Sequence, residues 1–61
     1  MTDRLLSPKQ LADYLGVPVR TVYAWNTRGG GPTVIAVGRH RRYRLADVEL
    51  WLAERERPNP N

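Results

Sequence analysis

The chain has no cysteine and no phenylalanine, one histidine and one lysine. Without cysteine there are no disulfides and no thiolate metal ligands, and one histidine is too few for a usual zinc site. Its apolar runs span only a handful of residues, too short for a transmembrane helix. Met1–Leu6 holds Asp3 and Arg4 and has no apolar h-region, so no secretory signal is expected and the protein is expected in the cytoplasm. What remains is an ordinary globular composition, 41% hydrophobic and 26% charged, with two Trp and three Tyr supplying the bulk. Sixty-one residues make one small domain, and a chain of that size buries only about 60% of its unfolded surface. The domain is expected over residues 1–57, with a disordered tail at 58–61 where Pro58-Asn59-Pro60-Asn61 stands. So small a fold leaves little room for a deep catalytic pocket and favours a binding module.

Ten basic residues against six acidic ones give a net charge of +4. Their distribution is more informative. Tyr14 to Ala46 contains Arg20, Arg28, Arg39, Arg41, Arg42 and Arg44, with His40 and no acid. Asp3 and Asp13 precede that window; Asp47, Glu49, Glu54 and Glu56 follow it. A basic block within a folded segment is the electrostatic footprint of a polyanion-binding surface.

Ser7-Pro8-Lys9-Gln10 reads as a capping box, with Ser7 at N-cap, Pro8 at N1 and Gln10 at N3. Leu11, Ala12 and Leu15 recur at helical spacing and Gly16 ends the segment, which predicts a helix over Pro8–Leu15 with Leu5 or Leu6 stapled against Leu11. Pro18 is tolerated in a first turn, and Val22 and Trp25 form the inner face of a second helix from Val19 to about Thr27, stopped by Gly29-Gly30-Gly31-Pro32. Thr33–Val37 and Arg42–Leu45 read as two strands around a turn at Gly38–Arg41. Alternation places Ile35 with Val37 and Tyr43 with Leu45 on the apolar side, and Arg42 and Arg44 opposite. A third helix is expected from Ala46 or Asp47 to Arg55, with Val48, Trp51, Leu52 and Arg55 facing inward and Arg55 and Arg57 suiting its C-terminus. The fold is therefore expected to be mainly α with a small β-hairpin. It is a winged helix-turn-helix of three helices, with a two-stranded antiparallel wing between the second and third. Ala12 lets the first two helices cross closely and Gly16 permits the sharp turn between them.

Ser7-Pro8-Lys9-Gln10-Leu11-Ala12-Asp13-Tyr14-Leu15-Gly16-Val17, followed by Arg20-Thr21-Val22-Tyr23-Ala24-Trp25, resembles the opening of MerR-type winged-helix domains. Val37-Gly38-Arg39-His40-Arg41-Arg42-Tyr43-Arg44, followed by Asp47-Val48-Glu49-Leu50-Trp51-Leu52, is similar to their wing and closing helix, so the likeness covers Leu5 to Leu52. Among such domains the chain most resembles the small stand-alone excisionases (recombination directionality factors) of phages and plasmids, and short regulators of the AlpA or BldC kind. Pro18 departs from the pattern, which often has a Ser or Thr cap there. The effector domain and coiled-coil helix of full MerR regulators have no counterpart in the residues matched. No small-molecule effector is therefore expected.

In a winged helix-turn-helix the second helix enters the major groove and the wing touches the flanking backbone or minor groove. Arg20 is the first candidate to read a base, because Arg can clasp guanine O6 and N7; a phosphate contact is the alternative. The Tyr23 hydroxyl suits a phosphate or base edge, unless the ring packs into the core. Thr21 and Asn26 suit phosphates, and Arg28 follows the helix end toward another. Arg39, His40 and Arg41 form the wing tip, where a narrow minor groove attracts cations. Arg42 is assigned to the DNA backbone, and Arg44 either joins it or pairs with Asp47 or Glu49. Trp25, Tyr43 and Trp51 are read as core.

No enzyme is expected. The Gly29–Gly31 run lacks the Lys-Ser/Thr of a P-loop and opens no helix. No Ser–His–acid set can be assembled, and no carboxylate cluster lies on the basic side for a nuclease metal. No metal or cofactor is expected. The resemblance implies an excisionase: it would bind and bend attachment-site double-stranded DNA, self-associate along it, and direct a separate site-specific integrase toward excision. A small transcriptional regulator in the bacterial nucleoid uses the same surface. A protein-interaction adaptor using the acidic third helix is the reading from another class.

Overall fold

The computed structural model describes residues 4–56. The tail expected at 58–61 and Arg57 lie outside the described residues. The elements run β1 (Leu5–Leu6), α1 (Pro8–Leu15), α2 (Val19–Arg28), β2 (Ile35–Val37), β3 (His40–Arg44) and α3 (Leu45–Arg55).

Helix α1 begins as its sequence dictates. The Ser7 Oγ accepts from the Gln10 N–H at 3.1 Å, and the Gln10 Oε1 accepts from the Ser7 N–H at 2.9 Å, so both halves of the capping box form. At the other end Gly16 turns left-handed with φ 72°. The Val17 N–H then reaches the Ala12 carbonyl at 3.0 Å, and the Gly16 N–H is shared between the Ala12 and Asp13 carbonyls. This is a Schellman ending. Helix α2 starts two residues later from Pro18, which supplies no side-chain cap.

The expected hairpin is present and gains a third strand. Leu5 pairs with Arg44 and Leu6 with Tyr43, so β1 joins β3 on the edge away from β2 and the order is β1-β3-β2. The Leu45 N–H donates to the Arg4 carbonyl at 2.9 Å and ties this strand to the start of α3. Leu6 thereby serves twice, as cross-strand partner of Tyr43 and in the core with Leu11. The hairpin is also tighter than expected, with Gly38-Arg39 alone between β2 and β3. Gly38 has φ 62° and Arg39 a negative φ, the pattern of a type II′ turn.

The register corrects the expected faces. Ile35 lies opposite Arg42, Ala36 opposite Arg41 and Val37 opposite His40. Directly paired residues share a face. Ala36, Arg41, Tyr43 and Leu6 are therefore on the helix side, while Ile35 and Val37 share the outer side with His40, Arg42, Arg44 and Leu5. The expected grouping of Ile35 and Val37 with Tyr43 fails because alternation within each strand does not fix the phase between strands; the two-residue turn does. Leu45, expected in the strand, opens α3 instead.

Leu6, Leu11, Ala12, Val22, Tyr43 and Val48 form the buried core, with Leu15, Val17, Val19, Trp25 and Leu45 packed around it. Trp25 and Trp51, both expected inside, are half-buried beside it. Their rings tilt together at 59° with centroids 5.2 Å apart, and the Arg55 guanidinium lies over Trp51 at 4.7 Å. Helix α3 contributes only Val48 to the buried core, and Leu52, expected inward, is 37% exposed.

Candidate nucleic-acid interface

Helix α2 turns Val22 inward, and Arg20, Tyr23, Thr27 and Arg28 are exposed. At 100° per residue Arg20, Tyr23 and Thr27 form one outward stripe, flanked by Ala24 and Arg28. Thr27 belongs to this ridge although it was not among the expected contacts; its spacing from Arg20 was the available signal.

Two clefts run along the ridge. On one flank Arg20, Thr21, Ala24, Trp25, Arg28 and Gly29 enclose about 540 Å³. The half-buried Trp25 is its large apolar lining residue, and Arg20 and Arg28 are its cations. The glycine loop shapes this wall: a Cβ on Gly31 would lie 2.6 Å from the Trp25 ring, and φ there is 76°. Glycine is thus required both by the close approach to the ring and by the left-handed backbone.

On the other flank a cleft of about 280 Å³ separates α2 from the wing, lined by Tyr23 and Asn26 on one side and Arg39, His40, Arg41 and Arg42 on the other, with Pro8 at its rim. The tight turn projects Arg39, His40 and Arg41 into solvent. Arg42 is half-buried and its Nη1 donates to the Arg41 carbonyl at 2.7 Å, which folds the guanidinium along the ribbon. The Tyr43 hydroxyl closes the base of the wing, donating to the Asn26 Oδ1 at 3.2 Å. Burial raises the Tyr43 pKa, against the smaller opposing effects of the Asn26 hydrogen bond and the Arg41 charge. The hydroxyl therefore remains a donor at neutral pH.

The structure thus gathers Tyr23, Asn26, Arg39, His40, Arg41 and Arg42 around one cleft, and Arg20, Thr21 and Arg28 around the other. Arg44 stands apart. It caps α3 by position, and its Nη1 lies 3.6 Å from the Asp47 Oδ2, an ion pair too long for a hydrogen bond. Asn26 is half-buried and already partnered through its oxygen, which leaves its amide N–H groups as donors. Nothing in the sequence announced that bond, which joins residues 17 apart.

Apart from Asp13 on α1, the acids among the described residues occupy different ground. Asp47, Glu49, Glu54 and Glu56 all lie on α3 or at its C-cap. Glu49, Leu52, Ala53 and Glu56 line a shallow groove of about 340 Å³ there, and Leu50 on the same helix is 60% exposed. Among the described residues no helix is long and apolar enough to cross a membrane.

A family model described as a helix-turn-helix domain matches residues 5–56. No curated protein matches the chain.

Proposed function

The chain belongs to this helix-turn-helix domain family, and from its DNA-binding character we propose that the protein is an excisionase, a recombination directionality factor without a catalytic step of its own. In this reading it occupies attachment-site DNA in the nucleoid, bends it, and steers a separate integrase toward excision. The family includes excisionase-like small DNA-binding proteins. The observation that carries the reading is the separation of charge. The α2 ridge and the wing tip present Arg20, Arg28, Arg39, Arg41 and Arg42 around two clefts, whereas α3 and its C-cap present Glu49, Glu54 and Glu56 beside Leu50 and Leu52.

That polarity supports head-to-tail neighbours on tandem DNA sites, because like faces repel and unlike faces attract. The α2 ridge would enter the major groove and the wing would reach the adjacent backbone. A helix-turn-helix protein that pairs by two-fold symmetry instead reads inverted half-sites about one helical turn apart.

A footprint on DNA surrounding the protein's own gene, combined with a bending assay, tests the proposal. Cooperative filling of closely spaced direct repeats with bending is the expected result. A single or inverted site over a promoter, left straight, overturns it in favour of a transcriptional regulator. Failure to bind duplex DNA turns attention to α3 as the surface of a protein-interaction adaptor.

A further inference from the structure

We propose that Tyr43 is a positioning residue for DNA binding: its buried hydroxyl fixes the Asn26 amide so that the amide presents donors, not its oxygen, to the cleft between α2 and the wing. The inference rests on DNA binding alone and is independent of the excisionase reading.

Tyr43 is only 1% exposed, and its partner register with Leu6 holds its strand in the middle of the sheet. Its ring cannot swing to follow Asn26. Asn26 lies on the inward flank of α2, yet it lines the cleft together with Arg39, His40, Arg41 and Arg42. An unrestrained amide there can turn either end outward. Oxygen outward would oppose a phosphate lone pair to a carbonyl lone pair. Nitrogen outward adds a neutral donor to the cations that already line the space. The hydroxyl donates to Oδ1 at 3.2 Å. In this arrangement the amide oxygen is held by the phenol and the amide nitrogen is left for the cleft. The bond also joins the reading helix to β3, so wing and helix present their donors as one unit.

The test is a double-mutant cycle on affinity for a mixed-sequence duplex at low salt, with the variants Tyr43→Phe, Asn26→Ala and both together. Tyr43→Phe is expected to weaken binding about three- to tenfold, the range of one neutral hydrogen bond. Its salt slope should match that of the unaltered protein, because no cation is lost. In the Asn26→Ala background the same change should weaken binding no further. Asn26→Asp, which still accepts from Tyr43 but offers no donor and adds a negative charge, should bind more weakly than Asn26→Ala. A Tyr43→Phe penalty of the same size with and without Asn26 would show that the phenol acts only through the fold and would overturn the inference, as would full affinity in the single Phe variant. A protein that does not bind the duplex at all overturns both this inference and the DNA-binding premise, and so is distinguishable from a cycle without coupling.

Discussion

Gly30 and Gly31 are neighbours in the loop after α2, and alanine should not be equally tolerated at the two. Both have positive φ, 91° and 76°, where an L side chain costs about 1–2 kcal/mol. At Gly30 a Cβ would meet Trp25 at an ordinary 3.8 Å, whereas at Gly31 it would lie 2.6 Å from the ring. Gly31→Ala is therefore expected to destabilise by about 3 kcal/mol or more, since steric overlap adds to backbone strain, and Gly30→Ala by only the strain. Urea unfolding of the two variants checks the order. Tyr43 gives a second residue-scale expectation. Its pKa is raised in the folded state above the unfolded value of about 10. The linked stability is thus complete below pH 10, declines as pH rises from there through the folded pKa, and is flat beyond it. Tyr43→Phe should remove that alkaline decline from a plot of denaturation midpoint against pH. An unchanged decline would assign it to other groups.

At the scale of elements, α1 depends on its cap. Ser7→Ala removes the acceptor for the Gln10 N–H and should cost about 1 kcal/mol, read as a lowered thermal midpoint. The wing behaves oppositely. Arg39 and Arg41 are exposed, and Arg42 bonds only to the adjacent Arg41 carbonyl. Reversing all three to Glu should abolish binding to duplex DNA while leaving the thermal midpoint unchanged or slightly raised, because self-repulsion falls. The elements themselves were legible because their signals are local. Pro8–Leu15 follows from Ser7, Pro8 and Gly16, and α2 ends where the glycines begin. The third strand was not legible, since Leu5–Leu6 carries no alternation and reads equally well as the staple it also is. Nor was the placement of Ile35 and Val37 outside, with Val37 49% exposed, because alternation within each strand leaves open which of its faces the partner strand shares. Of the candidate site, Arg20 and the wing arginines were legible from charge. The partnership of Asn26 with Tyr43 and of Arg44 with Asp47 depended on tertiary placement.

For the molecule as a whole, charge separation sets how binding responds to salt. Arg20, Arg28, Arg39, Arg41 and Arg42 line the two clefts. If each neutralises one phosphate, log affinity against log salt should fall with a slope of about −4 to −5 per bound protein. Arg44, engaged with Asp47 at 3.6 Å, should leave the slope unaltered when changed to Ala, while Arg41→Ala should reduce its magnitude by about 0.9. Salt titrations with each variant distinguish these outcomes. The paired indoles of Trp25 and Trp51 have an optical counterpart. Two such chromophores, tilted at 59° with centres 5.2 Å apart, are close enough to couple their electronic transitions, and circular dichroism is expected to show a paired positive and negative band that is lost when either Trp is replaced. One indole rides on α2 and the other on α3, so the band would be an unlabelled gauge of the seam between them. An event on α3 that reaches α2 should change its amplitude; one that does not should leave it still.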